Sequence, residues 1–337
     1  MIRARPAEHG RRPQGSATAD FFKAQAPVLS IALFFVVTVV AFGLGTEAFT
    51  SRANLLNLLR QSAPLLMVAT AMTFVITTGG IDLSVGSTVA LVNALAAILL
   101  QAAVPWPFVV MAMLLLGGLV GALQGWFVAW EEIPAFIVTL AGLSVLRGVA
   151  LLLTQGFSIP ISPDLWFVQL GRGWFLGVPL PAVLAVAAAL GGWVALTQTT
   201  FGRYVTAIGA NAEAARRAGI NVRRTTLLVY VLTGTAAAMA GIIIAARLGS
   251  GSSNAAVGFE LEVIAAVVLG GTALLGGRGT IVGTVLGALT IAVIGNGLIL
   301  AHISPFFTQI VTGLIILAAV WLNTRAFARL GQRSLRV

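Results

Sequence analysis

Residues 106–130 read WPFVVMAMLLLGGLVGALQGWFVAW, without one Asp, Glu, Lys or Arg. About 20 such residues in a helix cross the roughly 30 Å hydrocarbon core of a bilayer, so this stretch is long enough to span it. Nine further apolar runs accompany it, at 28–44, 63–78, 83–100, 134–154, 180–197, 225–248, 263–275, 281–300 and 306–322. The whole chain of 337 residues is 58% hydrophobic and only 9% charged, with a mean hydropathy of +1.01. A soluble domain carries roughly 25% charged residues, so a soluble globular fold is excluded. The connections between runs are too small to hold a separate catalytic domain.

The expected fold class is therefore all-α, a polytopic integral membrane protein with about ten transmembrane helices, in a range of eight to ten. Two runs leave the count open. Residues 63–78 and 263–275 are short for a full crossing and end in glycine pairs, which is also how re-entrant or broken helices read. The run 28–44 exceeds the usual core of a signal peptide and reads as an uncleaved first helix. Residues 1–26 are polar, basic and rich in Pro, Gly and Ala, which predicts a disordered cytoplasmic tail. The permease-like body is expected over 27–323, with a cytoplasmic loop at 198–224, followed by a basic cytoplasmic tail at 324–337.

The net charge of +10 could suggest nucleic acid, but in a membrane protein the placement of charge decides its meaning. Fifteen of the 20 basic residues lie in the first tail, the 198–224 loop, the last tail and at Arg278. Basic residues are retained on the cytoplasmic side, so both termini are expected there and the number of crossings is even. Arg52, Arg60, Arg172 and Arg247 fall on the opposite side, Arg247 at the very end of its run, and Arg147 alone falls in the interior of one. The spaced arginines 325, 329, 333 and 336 suit attraction to anionic membrane lipids. The aromatic-rich stretch 157–179 fits either an interfacial belt or a docking face for an extracytoplasmic partner.

Several chemistries are excluded by what the chain lacks. Without cysteine there is no disulfide, thiolate nucleophile or Cys-based metal site. The sole lysine, Lys23, rules out a Walker-type phosphate loop. Histidine occurs only at His9 and His302, so a metal site and a Ser-His-acid constellation are both unexpected. No catalytic residue and no cofactor is expected. Ion-coupled transport would need an ionisable group in the membrane interior, for which Asp82 and Arg147 are the candidates. Asp82 also reads as an N-cap of the following helix, and Arg147 as an anchor that snorkels to the interface. Glu260 and Glu262 precede a helix and suit its N-terminal dipole. Small residues such as Gly117, Gly118, Gly283, Gly287 and Gly295 permit close helix contacts. A faint echo, G-G-x-x-L-x-x-G, relates Gly79, Gly80, Leu83 and Gly86 to Gly270, Gly271, Leu274 and Gly277.

The cytoplasmic loop carries consistent helix signals. Asn211 can cap a helix start, Glu213 falls in the first turn, Arg216 and Arg217 in the last, and Gly219 supplies a left-handed stop. Two turns are far below the roughly 12 to 15 residues at which an isolated helix becomes marginal. Such a helix needs a surface, either another subunit or the chain's own span ends.

These stretches together resemble one family, the ribose-type permease subunits of bacterial ATP-binding-cassette importers for monosaccharides, over about residues 54–323. The most specific piece is Gly79-Gly80-Ile81-Asp82-Leu83-Ser84-Val85-Gly86-Ser87. It is backed by Ile133-Pro134-Ala135-Phe136-Ile137-Val138-Thr139-Leu140 with Arg147-Gly148 downstream, and by the late block Ala265 to Gly271 continuing to Gly276-Gly277-Arg278-Gly279-Thr280. The resemblance implies a translocation pathway in the bacterial cytoplasmic membrane, built with a second permease copy. It also implies a separate ATP-binding subunit and an extracytoplasmic solute-binding protein. Gly209, Asn211, Glu213, Ala214, Ala215, Arg216, Gly219 and Ile220 match its ATPase-coupling segment. Gly79, Gly80, Asp82, Ser84, Phe136, Thr139, Arg147, Gly270 and Gly271 are the positions expected to line or gate the pathway. Branched-chain amino-acid permeases are similar in style, and an ion-coupled secondary transporter is the alternative from another class. The N-terminal tail matches no part of the pattern.

Overall fold

The computed structural model describes residues 17–304 and isolated positions up to 317; the run 306–322 and the tails 1–16 and 324–337 lie essentially outside the described residues. Helix α1 spans Ala17–Gly45, α2 Arg52–Thr77, α3 Val85–Gln101, α4 Trp106–Ala129 and α5 Ala135–Thr154. A short crossover follows, with strand β1 at Ile159–Pro160, helix α6 at Gln169–Arg172, and strands β2 at Trp174–Phe175 and β3 at Val178–Pro179. Then come α7 at Leu180–Gln198, α8 at Thr200–Ala210, α9 at Ala212–Arg217, α10 at Val222–Leu248, strand β4 at Ser250–Gly251, α11 at Phe259–Leu269 and α12 at Ile281–Leu300. Strands β2 and β3 form a hairpin, and β1 pairs antiparallel with β4. Among the described residues α1, α2, α4, α5, α7, α10 and α12 are long and apolar enough to cross a membrane. The chain is a mostly helical, polytopic membrane protein.

The bundle is built around α2, α3 and α10. From Ser62 to Thr77 every residue of α2 is buried, and an interior Pro64 is absorbed without a break, as neighbouring helices allow in a membrane. Helix α4 instead turns Leu115, Leu119 and Leu123 outward. Between α4 and α10 the crossing is close enough for backbone to meet backbone: a β-carbon on Gly117 would collide with the Gly234 carbonyl, and one on Gly121 with the Tyr230 carbonyl. Gly283 and Gly287 meet Gly270 and Ala266 in the same way, while Gly295 faces open space and Gly118 makes ordinary contact. Close backbone approach of this kind is how helices gain packing energy where lipid offers no hydrophobic drive.

Several expectations change. The run 63–78 is the buried part of a full helix that starts at Arg52; polar Asn54, Asn57, Arg60 and Gln61 in its first turns hid the beginning. Arg60 is therefore inside a helix, with its guanidinium 4.9 Å from the ring centre of Trp174. The run 263–275 is the opposite case. Helix α11 covers only 11 residues, about 16 Å at 1.5 Å per residue, and gives way to turns at Gly270. Glu260 and Glu262 stand in its first turn rather than before it. Helix α1 begins at Ala17, so residues 17–26 are helical where a disordered tail was expected. The glycine echo is real in conformation but shifted by one residue. Gly79 and Gly271 have φ of +86° and +90°, each followed by a residue whose N–H returns to the last helical turn, Gly80 to Val75 and Thr272 to Val267.

Filling the α4–α10 contact tests this architecture. Gly234→Val should cost about 1–3 kcal/mol through overpacking and lower the melting temperature in detergent, whereas Gly191→Ala, with nothing nearby, should leave it unchanged.

Candidate functional site

The turn between α2 and α3 places a carboxylate among helices. Asp82 is 1% exposed, and its Oδ1 accepts from the Ser84 backbone N–H at 2.9 Å and from the Ser84 hydroxyl at 2.7 Å. It is not the helix cap: that position is Ser84, with helical φ and no side-chain cap bond. Asp82 instead closes an Asx turn one step earlier, which fixes the non-helical backbone. The Ser84 hydroxyl also meets the Gln124 side chain, at 3.0 and 2.8 Å, and Thr139 Oγ1 donates to the Ile81 carbonyl at 3.1 Å. Thus Gly80, Asp82, Ser84 and Thr139 come together, while Phe136 is 55% exposed on the outside of α5. Sequence reading missed Gln124, although it is the one hydrogen-bonding side chain between the tryptophans of 106–130. It also missed Tyr230, fully buried beside Gly80, whose hydroxyl has no partner among the described residues.

A second non-helical stretch, 252–258, dips between the helices before α11. Arg147 holds it: Nη1 donates to the Ser253 carbonyl at 2.7 Å and the Ala255 carbonyl at 2.8 Å, and Nη2 to Ala256 at 3.4 Å. Thr154 bonds the Ser253 hydroxyl at 2.8 Å. Asn93 accepts from the Ser252 N–H at 2.6 Å and donates to the Gly241 carbonyl. Irregular backbone at membrane depth survives only where such partners replace water. Arg147 is therefore a clamp on this loop. The Glu260 carboxylate lies against Gly86 at the start of α3, with Oε2 unpartnered among the described residues.

The 198–224 loop forms α8 and α9. Asn211 Oδ1 accepts from the Ala214 N–H at 2.9 Å, and Glu213 pairs with Arg217 at 3.1 Å and Arg216 at 3.7 Å. Gly219 stops the helix at φ +83°, and the Ile220 N–H returns to the Ala215 carbonyl. Only Ala215 of α9 is buried; Glu213, Ala214, Arg216 and Arg217 face outward. The preceding turn is packed by backbone alone. A β-carbon on Gly209 would collide with the Thr77 carbonyl at the end of α2 and with the Gly277 N–H, and that N–H donates to Thr77 at 2.9 Å. Gly276 packs against Gly79 and Gly209. The ends of α2 and α8 and the 270–280 loop thus form one glycine joint directly under α9. Sequence reading placed Gly209 with the coupling segment and Gly79 with the pathway positions and did not connect the two.

With this geometry in hand, comparison with known proteins gives a consistent result. A model of the family described as "Branched-chain amino acid transport system / permease component" matches residues 54–320. The chain is 44% identical to the probable ABC transporter permease protein YphD of Escherichia coli, over 92% of this chain and 94% of the other. It is 42% identical to the ribose import permease protein RbsC of Bacillus subtilis, over 88% and 92%. Identity to the xylose transport system permease protein XylH of Escherichia coli is 36%, over 92% and 93%. No solved structure matches. The chain belongs to this family of transport-system permease components, as a multi-pass protein of the bacterial inner membrane.

Arg147→Leu should strip donors from the carbonyls of Ser253, Ala255 and Ala256 and destabilise the fold by about 3 kcal/mol, since bonds to a charged group are worth roughly 1.5–3 kcal/mol. Faster hydrogen exchange confined to 252–258, partly restored in Arg147→Lys, is the expected signature.

Proposed function

We propose that the chain is the membrane-spanning permease subunit of an ATP-binding-cassette importer for a monosaccharide, working as one of two copies. The observation that carries the reading is α9: a capped, outward-facing helix too short to stand alone, resting on the glycine joint at the ends of α2 and α8. A groove on a separate ATP-hydrolysing subunit would supply the missing surface, and the chain has no phosphate loop of its own. The names of the relatives, ribose and xylose permeases, favour a pentose-like sugar over the amino acids in the family's description. An extracytoplasmic binding protein would deliver it at the opposite end of the bundle, around the β1–β4 pair and the β2–β3 hairpin.

In this reading α9 and both termini are cytoplasmic. The chain then crosses ten times, with the 249–258 stretch and α11 together making one broken crossing and the run 306–322 the last. Closure of the ATPase subunits would push α9. The joint would carry that displacement to the α2–α3 turn with Asp82 and to Gly270–Gly271 ahead of α12, alternately opening the pathway to each side. The basic C-terminal tail would lie on anionic lipid.

Affinity purification of the tagged permease in mild detergent tests the assignment. A P-loop ATPase should co-purify and be lost when 212–218 is scrambled, and Glu213→Arg or Gly219→Trp should abolish uptake with membrane insertion intact. A stably inserted chain that brings down no ATPase, and moves solute alone down an ion gradient, would overturn it.

A further inference from the structure

At the end of the bundle away from α9 lies a cavity of about 880 Å³, within the roughly 300–1,000 Å³ range of small-molecule sites. Its position follows from its walls. Leu58, Gln61 and Ser62 come from the first half of α2, Arg247 from the last turn of α10, and Asn296 and Ile299 from the last turns of α12. Its floor is the clamped loop and the first turns of α11, with Phe259 and Glu262. Much of the lining is apolar, but the polar groups are of both kinds. Arg247 has a buried Nη1 without a partner among the described residues. Glu262 and Gln61 also line the space, and no ion pair joins Glu262 to Arg247 among the described residues. Asn296 is already committed in a reciprocal amide pair with Asn54, at 2.9 and 3.0 Å.

We propose that this cavity is a solute site within the permease, in which Arg247, Glu262 and Gln61 read the hydroxyl groups of a neutral polyol. A donor-only guanidinium, an acceptor-only carboxylate and an amide that does both match the mixed donors and acceptors of vicinal hydroxyls. Leu58, Ile244 and Phe259 offer apolar surface to the C–H faces of a sugar ring. With one positive and one negative side chain, the lining carries no net charge to favour an anion or a cation. A zwitterionic amino acid is the competing occupant, with carboxylate on Arg247 and ammonium on Glu262; the mixed amide and the ribose and xylose relatives favour the polyol.

The inference rests on the importer reading, and the experiment separates the two. The full complex of permease, ATPase subunit and binding protein is reconstituted in vesicles, and uptake of radiolabelled D-ribose and D-xylose is measured beside ATP hydrolysis. Wild-type vesicles that neither import sugar nor hydrolyse ATP would sink the importer reading itself. Given a working wild type, Arg247→Gln and Glu262→Gln should each lower the number of sugars moved per ATP hydrolysed about tenfold, equivalent to one lost hydrogen bond to a charged group, with Arg247→Lys recovering part. Ala265→Trp, on the cavity wall, should lower that ratio further by filling the space. An unchanged ratio, whether uptake holds or falls together with hydrolysis, would overturn the site. So would branched-chain amino acids, rather than other pentoses, competing for uptake.

Discussion

Inside a bilayer a peptide group without a hydrogen-bond partner costs several kcal/mol, and this chain twice leaves the helix there. The turn 78–84 and the stretch 252–258 together expose more backbone than their own segments can satisfy. The first is answered partly from within, by the Asp82–Ser84 turn, and partly by Thr139 of α5, and the second by Arg147, Asn93 and Thr154 from α3 and α5. The placement of α3, α5 and α11 follows from this requirement. Helix α3 can start only where the Asx turn releases it, and α11 can start only where Arg147 ends its hold at Ala256. The polar residues of the interior are therefore spent mainly on structure, and those left with unused capacity stand out against them.

Glycine supplies the complementary constraint. Where α4 crosses α10, where α11 meets α12 and where Gly209 meets Thr77, backbone touches backbone. Contact without an intervening side chain has no rotamers to absorb a shift, so neighbouring elements move together or not at all. At the α9 end this joins three chain segments far apart in sequence, near 77, 209 and 277, through one hydrogen bond and a set of van der Waals contacts.

The sequence made the helical membrane architecture legible because apolar length is a strong signal and lipid permits few alternatives. It was weaker wherever polarity and helicity part company. Helix α2 lost its first turns because Arg52, Asn54, Asn57 and Arg60 look like a loop, although Arg60 is stacked on Trp174. Helix α11 was drawn too late because apolarity continues past Leu269 while Gly270 and Gly271 end the helix. The α9 segment was read residue by residue, since caps and glycine stops act locally. The partners of Arg147 were not, because a loop carbonyl over 100 residues away leaves no mark on a single sequence. Gln124 was readable in principle, as a lone amide in an apolar run. The glycine joint was not, for glycine is common here, with 38 residues, and only contact separates Gly209 from Gly295.

These two constraints explain why the proposed solute cavity and the proposed coupling helix occupy opposite ends without a long helix linking them. The cavity floor is the 252–258 stretch and the start of α11, and the far end of the same short helix runs through Gly270 and Gly271 into the joint beneath α9. A helix of about 16 Å is half the bilayer, so in the proposed ten-crossing topology the second half of that crossing is made of backbone that side chains must hold. On the proposed reading that is the useful arrangement. A push at α9 reaches the solute through one stiff half-crossing, and the other half is pinned by Arg147 at points that can be released without unwinding any helix.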